Sequence, residues 1–140
     1  MCRTIFTTMP EKKILIVDND PELTDVLKIA VETLGVFSVQ TENDPARAVA
    51  VAKEFLPDLI LMDIKMPGLD GADVAIQLQA EPALSETPIV FLSGTVTEPQ
   101  IGTPGRKVGG LRFLPKTMRL DALVACLRDI VYDLPVNLAA

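Results

Sequence analysis

The chain contains several short apolar runs that each end in a polar residue, and this pattern restricts the folds open to it. The clearest run covers residues 59–62 and is followed at once by Asp63. Similar runs cover residues 13–17, 88–92 and 110–115. A short apolar run between turn residues is typical of a strand that is buried on both faces, as in a parallel sheet. Segments with helical spacing separate the runs, and this alternation indicates parallel βαβ units.

The pattern predicts five strands and at least four helices. We expect strands at 13–17, 36–41, 58–63, 88–92 and 110–115, and helices at 21–34, 44–55, 71–80 and 119–132. The fourth crossover differs, because residues 98–105 contain two prolines and two glycines. Proline removes a backbone donor, and glycine adds conformational freedom. We therefore expect a short or irregular fourth crossover helix, at most a helical piece near residues 106–109, and an altered surface there.

Polar residues follow the predicted strands at one edge of the sheet. Ligands of open parallel sheets bind beyond the carboxyl ends of the strands, so these residues are candidates for a site. They are Asp18, Asn19, Asp63, Ser93 and Lys116. Taken singly, Asp63 could cap the following turn, Ser93 could be a turn residue, and Lys116 could be a solvated cation. Oxygen ligands of the Asp and Asn kind suit Mg²⁺.

Asp20 has a different interpretation, although it lies beside Asp18 and Asn19. The order Asp20-Pro21-Glu22 is that of a helix N-cap, a proline in the first helical position and an acid in the first turn. We therefore assign Asp20 mainly to helix capping.

Two acids, a hydroxyl and an ammonium group at one edge could together hold a phosphoryl group on a carboxylate. The set Asp18, Asp63, Ser93 and Lys116, with the segment 62–71, resembles the receiver domain of two-component response regulators. The resemblance covers residues 12–132, nearly the whole chain. It implies an α/β, flavodoxin-like, doubly wound sheet of five parallel strands in the order 2-1-3-4-5. It also implies a receiver domain at 12–133 with tails at 1–11 and 134–140.

The resemblance implies a role for each site residue. Asp63 would be the phosphoacceptor, taking a phosphoryl group from a partner histidine kinase or phosphotransfer protein, and Ser93 and Lys116 would contact the phosphoryl oxygens. Mg²⁺ would be held by Asp18, Asn19, Asp63 and the backbone carbonyl of Lys65. Ser93 and Phe113 would form the switch, although Phe113 could also be a plain core residue. The protein would be a switch with slow self-dephosphorylation rather than an enzyme with an external substrate.

Departures from the family pattern leave two alternatives open. Asn19 replaces an acid, and Thr117 stands where the family usually has proline after its lysine. These changes and the broken fourth crossover are compatible with a pseudo-receiver, an interaction module that works without phosphorylation. A strand that ends in Asp18-Asn19-Asp20 also resembles the haloacid dehalogenase superfamily, in which Asp18 would be the nucleophile of a phosphohydrolase.

Composition limits the classes of partner. The 140 residues suit one domain without room for an output domain, and the formal charge of −6 without a basic run argues against direct binding to nucleic acid or anionic membranes. We expect protein partners, a kinase and a downstream target, and a monomer or weak dimer. No histidine is present, which excludes a phosphohistidine within the chain. The two cysteines lack metal-ligand spacing, and no signal or membrane segment is evident, so we expect a cytoplasmic protein.

Overall fold

The computed structural model describes residues 12–35, 37–66, 69–93, 107–108 and 111–132. The predicted tails at 1–11 and 134–140, with Cys2, lie outside the described residues. Most of the predicted irregular crossover, residues 94–106, also lies outside them.

Five parallel strands form the central sheet. They are β1 (Lys13–Val17), β2 (Ser38–Glu42), β3 (Leu59–Asp63), β4 (Ile89–Ser93) and β5 (Leu111–Pro115). β1 pairs with β2 and β3, β3 pairs with β4, and β4 pairs with β5, all in parallel. The resulting order is 2-1-3-4-5, as predicted. Every residue of β3 and β4 is buried, which explains why their sequences are apolar without alternation.

Helices cover both faces of the sheet. They are α1 (Pro21–Gly35), α2 (Ala48–Phe55), α3 (Gly71–Ala80) and α4 (Leu120–Val131), with 3₁₀ turns at Pro45–Arg47 and Pro82–Leu84. Successive β1 side chains point to opposite faces, so Ile14 packs with α1 and α4 while Leu15 packs with α2 and α3. The predicted doubly wound architecture is therefore confirmed. No helix in the described ranges is long and apolar enough to cross a membrane.

Two predicted elements need correction. The helix predicted from residue 44 begins with the 3₁₀ turn Pro45–Arg47, because Asp44 caps that turn by accepting from the Ala46 N–H over 3.0 Å. The helical piece predicted at 106–109 is wrong at Lys107–Val108, which form a short strand antiparallel to Leu111 and Arg112 of β5. Extended backbone at this point can pair with an edge that would otherwise be open. Among the described residues, this pairing covers Leu111 and Arg112 of β5.

Cys126 lies buried in α4. Burial, with a smaller contribution from the charge of Asp129, raises the pKa of its thiol to about 11. The thiol is therefore protonated at neutral pH and acts as a core residue.

Leu56 has a backbone conformation that favours glycine. It follows α2 in the left-handed region, with φ of 52°, and its side chain is about half exposed. A left-handed L-residue costs roughly 1–2 kcal/mol, so we expect Leu56→Gly to raise the free energy of unfolding by about 1 kcal/mol, as measured by urea denaturation. The control Ala50→Gly, on the exposed side of regular helix α2, should lower it by about 1 kcal/mol. A loss of stability in Leu56→Gly would show that the side-chain contacts of Leu56 outweigh the backbone strain.

Candidate functional site

The carboxyl ends of four strands bring the predicted residues together. Asp18 directly follows β1, Asp63 ends β3, Ser93 ends β4, and Lys116 directly follows β5. Asp18, Asp63 and Ser93 are all buried, with exposed fractions of 1%, 5% and 1%. The Nζ atom of Lys116 lies 3.2 Å from Asp63 Oδ1 and 3.6 Å from Asp18 Oδ2. One partly exposed cation therefore contacts two buried carboxylates.

The backbone of Lys116 is fixed by the sheet itself. Its N–H donates to the carbonyl of Ser93 over 2.9 Å, which continues the pairing of β4 with β5. Thr117 follows through a trans peptide bond. The side chain of Lys116 can thus reach both carboxylates from a defined position at the end of β5.

Asp18 carries the clearest electrostatic signature of the site. Its Oδ1 accepts from the Asp20 N–H over 3.0 Å, whereas its buried Oδ2 makes no hydrogen bond within the described part of the chain. Burial, and to a smaller extent the charge of Asp63, raises the pKa of the Asp18 carboxyl above its ordinary value of 3.8. The Asp20 N–H and Lys116 lower this pKa but do not offset the rise. Ionisation of Asp18 is therefore less favourable in the fold than in water.

Replacing Asp18 by Asn should stabilise the metal-free protein. Because the folded-state pKa lies above 3.8, the folded state binds the proton more tightly than the unfolded state does, so the free energy of unfolding rises as the pH falls through the folded-state pKa toward 3.8 and falls as the pH rises through that window. At neutral pH, Asp18→Asn removes this cost, and calorimetry in EDTA should show a melting temperature higher by a few degrees. Any stabilisation by Mg²⁺ should shrink in the variant.

The exposed residue Asp25 on α1 provides the control. Asp25→Asn should leave both the melting temperature and its response to Mg²⁺ nearly unchanged. A lower melting temperature of Asp18→Asn in EDTA would show instead that the ion pair with Lys116 outweighs the burial of the charge.

The donor set of the site fits a hard cation. Asp18 offers a buried oxygen without a hydrogen bond, and the Asp63 carboxylate contacts the same cation, Lys116. No three His, Cys, Asp or Glu side chains cluster as a metal site in the described ranges. A metal here would therefore also need amide, carbonyl or water oxygens, which is usual for Mg²⁺. Asn19 lies exposed in the loop after β1, next to Asp18.

Asp20 caps helix α1, as predicted. Its Oδ1 accepts from the N–H groups of Glu22 over 3.1 Å and Leu23 over 3.4 Å. Its carbonyl accepts from the N–H of Thr24 over 3.1 Å. These bonds satisfy donors of the first helical turn that would otherwise lack partners.

The segment after Asp63 folds back closely against the site. Residues Lys65–Met66 pair antiparallel with Leu69–Asp70, and the N–H of Gly71 then donates to the carbonyl of Ile64 over 2.8 Å. A Cβ atom on Gly71 would lie 2.5 Å from the Asp63 carbonyl oxygen. Only glycine fits this approach, which places the start of α3 directly against the backbone of Asp63.

Phe113 packs beside the site rather than at its centre. Its ring stacks on that of Phe91 with 5.5 Å between centroids and 28° between planes. Phe113 is half-buried at the edge of the core under α2 and α3. The packing shows a core contact, and the switch role of Phe113 stays a prediction.

Sequence reasoning missed two polar residues beneath Asp18. Asn43 Nδ2 donates to the backbone carbonyl of Asp18 over 2.8 Å and to Thr24 Oγ1 over 3.0 Å. Two signals pointed to these residues. Asn43 directly follows β2 at the site edge, and Thr24 interrupts the apolar face of α1.

The strand order and the polar edge define a class. A flavodoxin-like sheet with buried acids and a lysine at the carboxyl ends of its strands is the architecture of a receiver-type domain. Similar solved structures include the chemotaxis protein CheY4 of Vibrio cholerae, with a TM-score of 0.73, 23% identity, and coverage of 86% of this chain and 99% of that one. A response regulator from Desulfuromonas acetoxidans has a TM-score of 0.71 and 25% identity, with coverage of 89% and 99%.

The sequence shows the family. Residues 14–128 match the response regulator receiver domain, and the chain belongs to this family of two-component signalling domains, in which phosphoaspartate and Mg²⁺ are typical. The family match supports the receiver interpretation and gives no support to the haloacid dehalogenase alternative. In addition, Asp20, the second acid of that alternative motif, is engaged in capping α1.

Two curated relatives show how far the similarity extends. The DNA-binding response regulator MtrA of Mycolicibacterium smegmatis is 32% identical over 117 residues, which cover 84% of this chain and 49% of MtrA. The phosphate regulon transcriptional regulatory protein PhoB of Pseudomonas aeruginosa is 32% identical over 124 residues, which cover 88% and 53%. The chain thus spans about half the length of these relatives.

Proposed function

We propose that this protein is a phosphorylation-controlled switch in which Asp63 accepts a phosphoryl group. The contact of 3.2 Å between Lys116 Nζ and the buried carboxylate of Asp63 carries the proposal. A cation so close to a buried acid at the strand ends can offset the charge that a phosphoryl group adds there. The donor would be a phosphohistidine of a kinase or phosphotransfer protein.

The transfer needs one bond to form and one to break. A carboxylate oxygen of Asp63 attacks phosphorus, the phosphorus–nitrogen bond of the donor breaks, and the imidazole keeps the electron pair. Lys116 holds one phosphoryl oxygen, and the Ser93 hydroxyl donates to another. Asp18, Asn19, Asp63 and the Lys65 carbonyl would hold Mg²⁺, which would supply further positive charge against the phosphoryl oxygens. Slow attack by water on phosphorus would release phosphate and restore the Asp63 carboxylate.

The output of the switch would be a changed protein-binding surface. The bond from Ser93 to the phosphoryl group would pull on the end of β4, the strand whose Phe91 stacks on Phe113 of β5. We assign protein partners to this domain, because the formal charge of −6 opposes contact with a phosphate backbone. We also assign it to the cytoplasm, which is consistent with its family. MtrA is named as DNA-binding, but this chain matches only 49% of it, so DNA contacts of MtrA are not transferred to this chain.

Intact-mass spectrometry tests the proposal. The protein is incubated with acetyl phosphate in Mg²⁺ and, in parallel, in EDTA, and is then quenched in acid at short times. We expect one added phosphoryl group in Mg²⁺ and little in EDTA. Borohydride reduces a phosphorylated aspartate to homoserine, so peptide sequencing should then find homoserine at position 63. Homoserine at position 18 would contradict the assignment of the nucleophile.

The alternative function is that of a pseudo-receiver, and it is favoured if no phosphoryl adduct forms. Asn19 supports this alternative, because a neutral amide replaces a second acid in the loop after β1. An unphosphorylated wild type, under conditions that also exclude rapid hydrolysis, would favour an interaction module that works without phosphorylation.

A further inference from the structure

A partly buried chain of hydrogen bonds joins the Asp18 backbone to the first turn of α1 through the side chain of Asn43, which lies in the loop after β2. Asn43 Nδ2 donates to the Asp18 carbonyl over 2.8 Å and to Thr24 Oγ1 over 3.0 Å. Thr24 Oγ1 donates in turn to the Pro21 carbonyl over 3.0 Å. Thr24 is completely enclosed, with an exposed fraction of 0%. Three separate segments therefore meet at one polar centre beneath the site.

The chemistry of the partners fixes the direction of each bond. The Asp18 carbonyl can only accept, so the amide nitrogen of Asn43 must face it. The Thr24 hydroxyl has one O–H group, which donates to the Pro21 carbonyl. The hydroxyl oxygen therefore acts as the acceptor for the Asn43 amide. Both amide protons of Asn43 are thus used, and a buried network with its donors satisfied is rigid.

This network restricts the position of the Asp18 carboxylate. Asn43 holds the Asp18 carbonyl, while the Asp20 N–H holds Oδ1 over 3.0 Å. The remaining oxygen, Oδ2, lies buried at 3.6 Å from Lys116 Nζ. We propose that Asn43 and Thr24 are positioning residues that orient the Asp18 carboxylate toward the acidic site. The expected effect on Mg²⁺ affinity rests on the proposed function, whereas the orientation of the Asp18 carboxylate by Asn43 and Thr24 does not.

The test uses substitutions at the buried hydroxyl. Thr24→Val removes the hydroxyl and keeps the branched shape, and Thr24→Ser keeps the hydroxyl. Val51→Ala serves as the stability control, because Val51 is buried in the core on the other face of the sheet. Asn43→Ala is the second variant if Thr24→Val does not fold. Two quantities are measured: hydrogen exchange of the Asp20 amide without metal, and the Kd of Mg²⁺ by calorimetry.

We expect both quantities to change only when the network is broken. In Thr24→Val, the Asp20 amide should exchange roughly tenfold faster, and the Kd of Mg²⁺ should rise about tenfold. Thr24→Ser should stay within about twofold of wild type in both. Val51→Ala should lower the melting temperature without changing either quantity.

Two outcomes separate the inference from the proposed function. If Thr24→Val lowers the melting temperature but leaves Asp20 exchange and the Kd unchanged, Thr24 only fills space and the inference is overturned. If wild type binds no Mg²⁺ at all, the proposed function fails, and the exchange rates of Asp20 alone decide whether Asn43 and Thr24 position Asp18.

Discussion

Replacing Asp63 by Asn is expected to abolish phosphorylation by acetyl phosphate completely. The amide is a far weaker nucleophile than the carboxylate and cannot form a stable acyl phosphate, while its size is nearly the same. The intact mass of Asp63→Asn should therefore stay unchanged under conditions that add one phosphoryl group to wild type. The fold should persist, because the substitution keeps the shape of a buried side chain and removes one of two neighbouring acids.

Asp58 provides a matched control for this experiment. It lies directly before β3, at the opposite end from Asp63, and its Oδ2 accepts from the Lys13 N–H over 2.8 Å. The Oδ1 of Asn can accept the same hydrogen bond, so Asp58→Asn should fold. Its intact mass should rise by one phosphoryl group, as in wild type. Persistent labelling of Asp63→Asn would show that another side chain is the acceptor, and Asp18, the other buried acid of the site, would be examined first.

Adding one methyl group at Gly71 should cause the largest loss of stability among the proposed changes. The Cβ atom would lie 2.5 Å from the Asp63 carbonyl oxygen and 2.9 Å from Ile64 Cα. Both are backbone atoms that cannot rotate away, so β3 or α3 must shift. We expect Gly71→Ala to lower the free energy of unfolding by about 2–3 kcal/mol, as measured by urea denaturation.

The same substitution should also slow phosphorylation, because the displaced backbone carries Asp63. Gln77→Ala is the control, since Gln77 is exposed on the same helix, and it should change stability by less than about 0.5 kcal/mol. If Gly71→Ala is as stable as Gln77→Ala, the approach of α3 to β3 is looser than these distances indicate.

The fold could be predicted where the signal is local or strongly apolar. β1, β3 and β4 were predicted almost to their ends because buried parallel strands need nearly unbroken apolar sequence. The cap at Asp20 was predictable because a helix N-cap depends on neighbouring residues alone. β2 begins at Ser38 rather than at residue 36, because its mixed sequence at the sheet edge gives a weaker signal.

The strand Lys107–Val108 had a local signal in the sequence, because two glycines separate it from its partner Leu111 in β5 and such a pair is typical of a hairpin turn. Contacts between distant residues gave no such signal. Asn43 contacts Asp18 across 25 positions of sequence, so its role becomes visible only when β1 and β2 lie side by side. For the site, the order of strands implied that Asp18, Asp63, Ser93 and Lys116 meet, but not which carboxylate oxygen faces the lysine.

The short strand at Lys107–Val108 also bears on how copies of this protein can associate. An open sheet edge is a template for pairing with another chain and so for aggregation. On β5 the first two residues already have a partner, and Pro115 at the other end has no N–H to offer. Within the described ranges, β2 pairs with β1 alone, so its outer side is the longer template. Among the residues that the structure describes, the two edges of the sheet are therefore unequally protected against pairing with another chain, β5 more than β2.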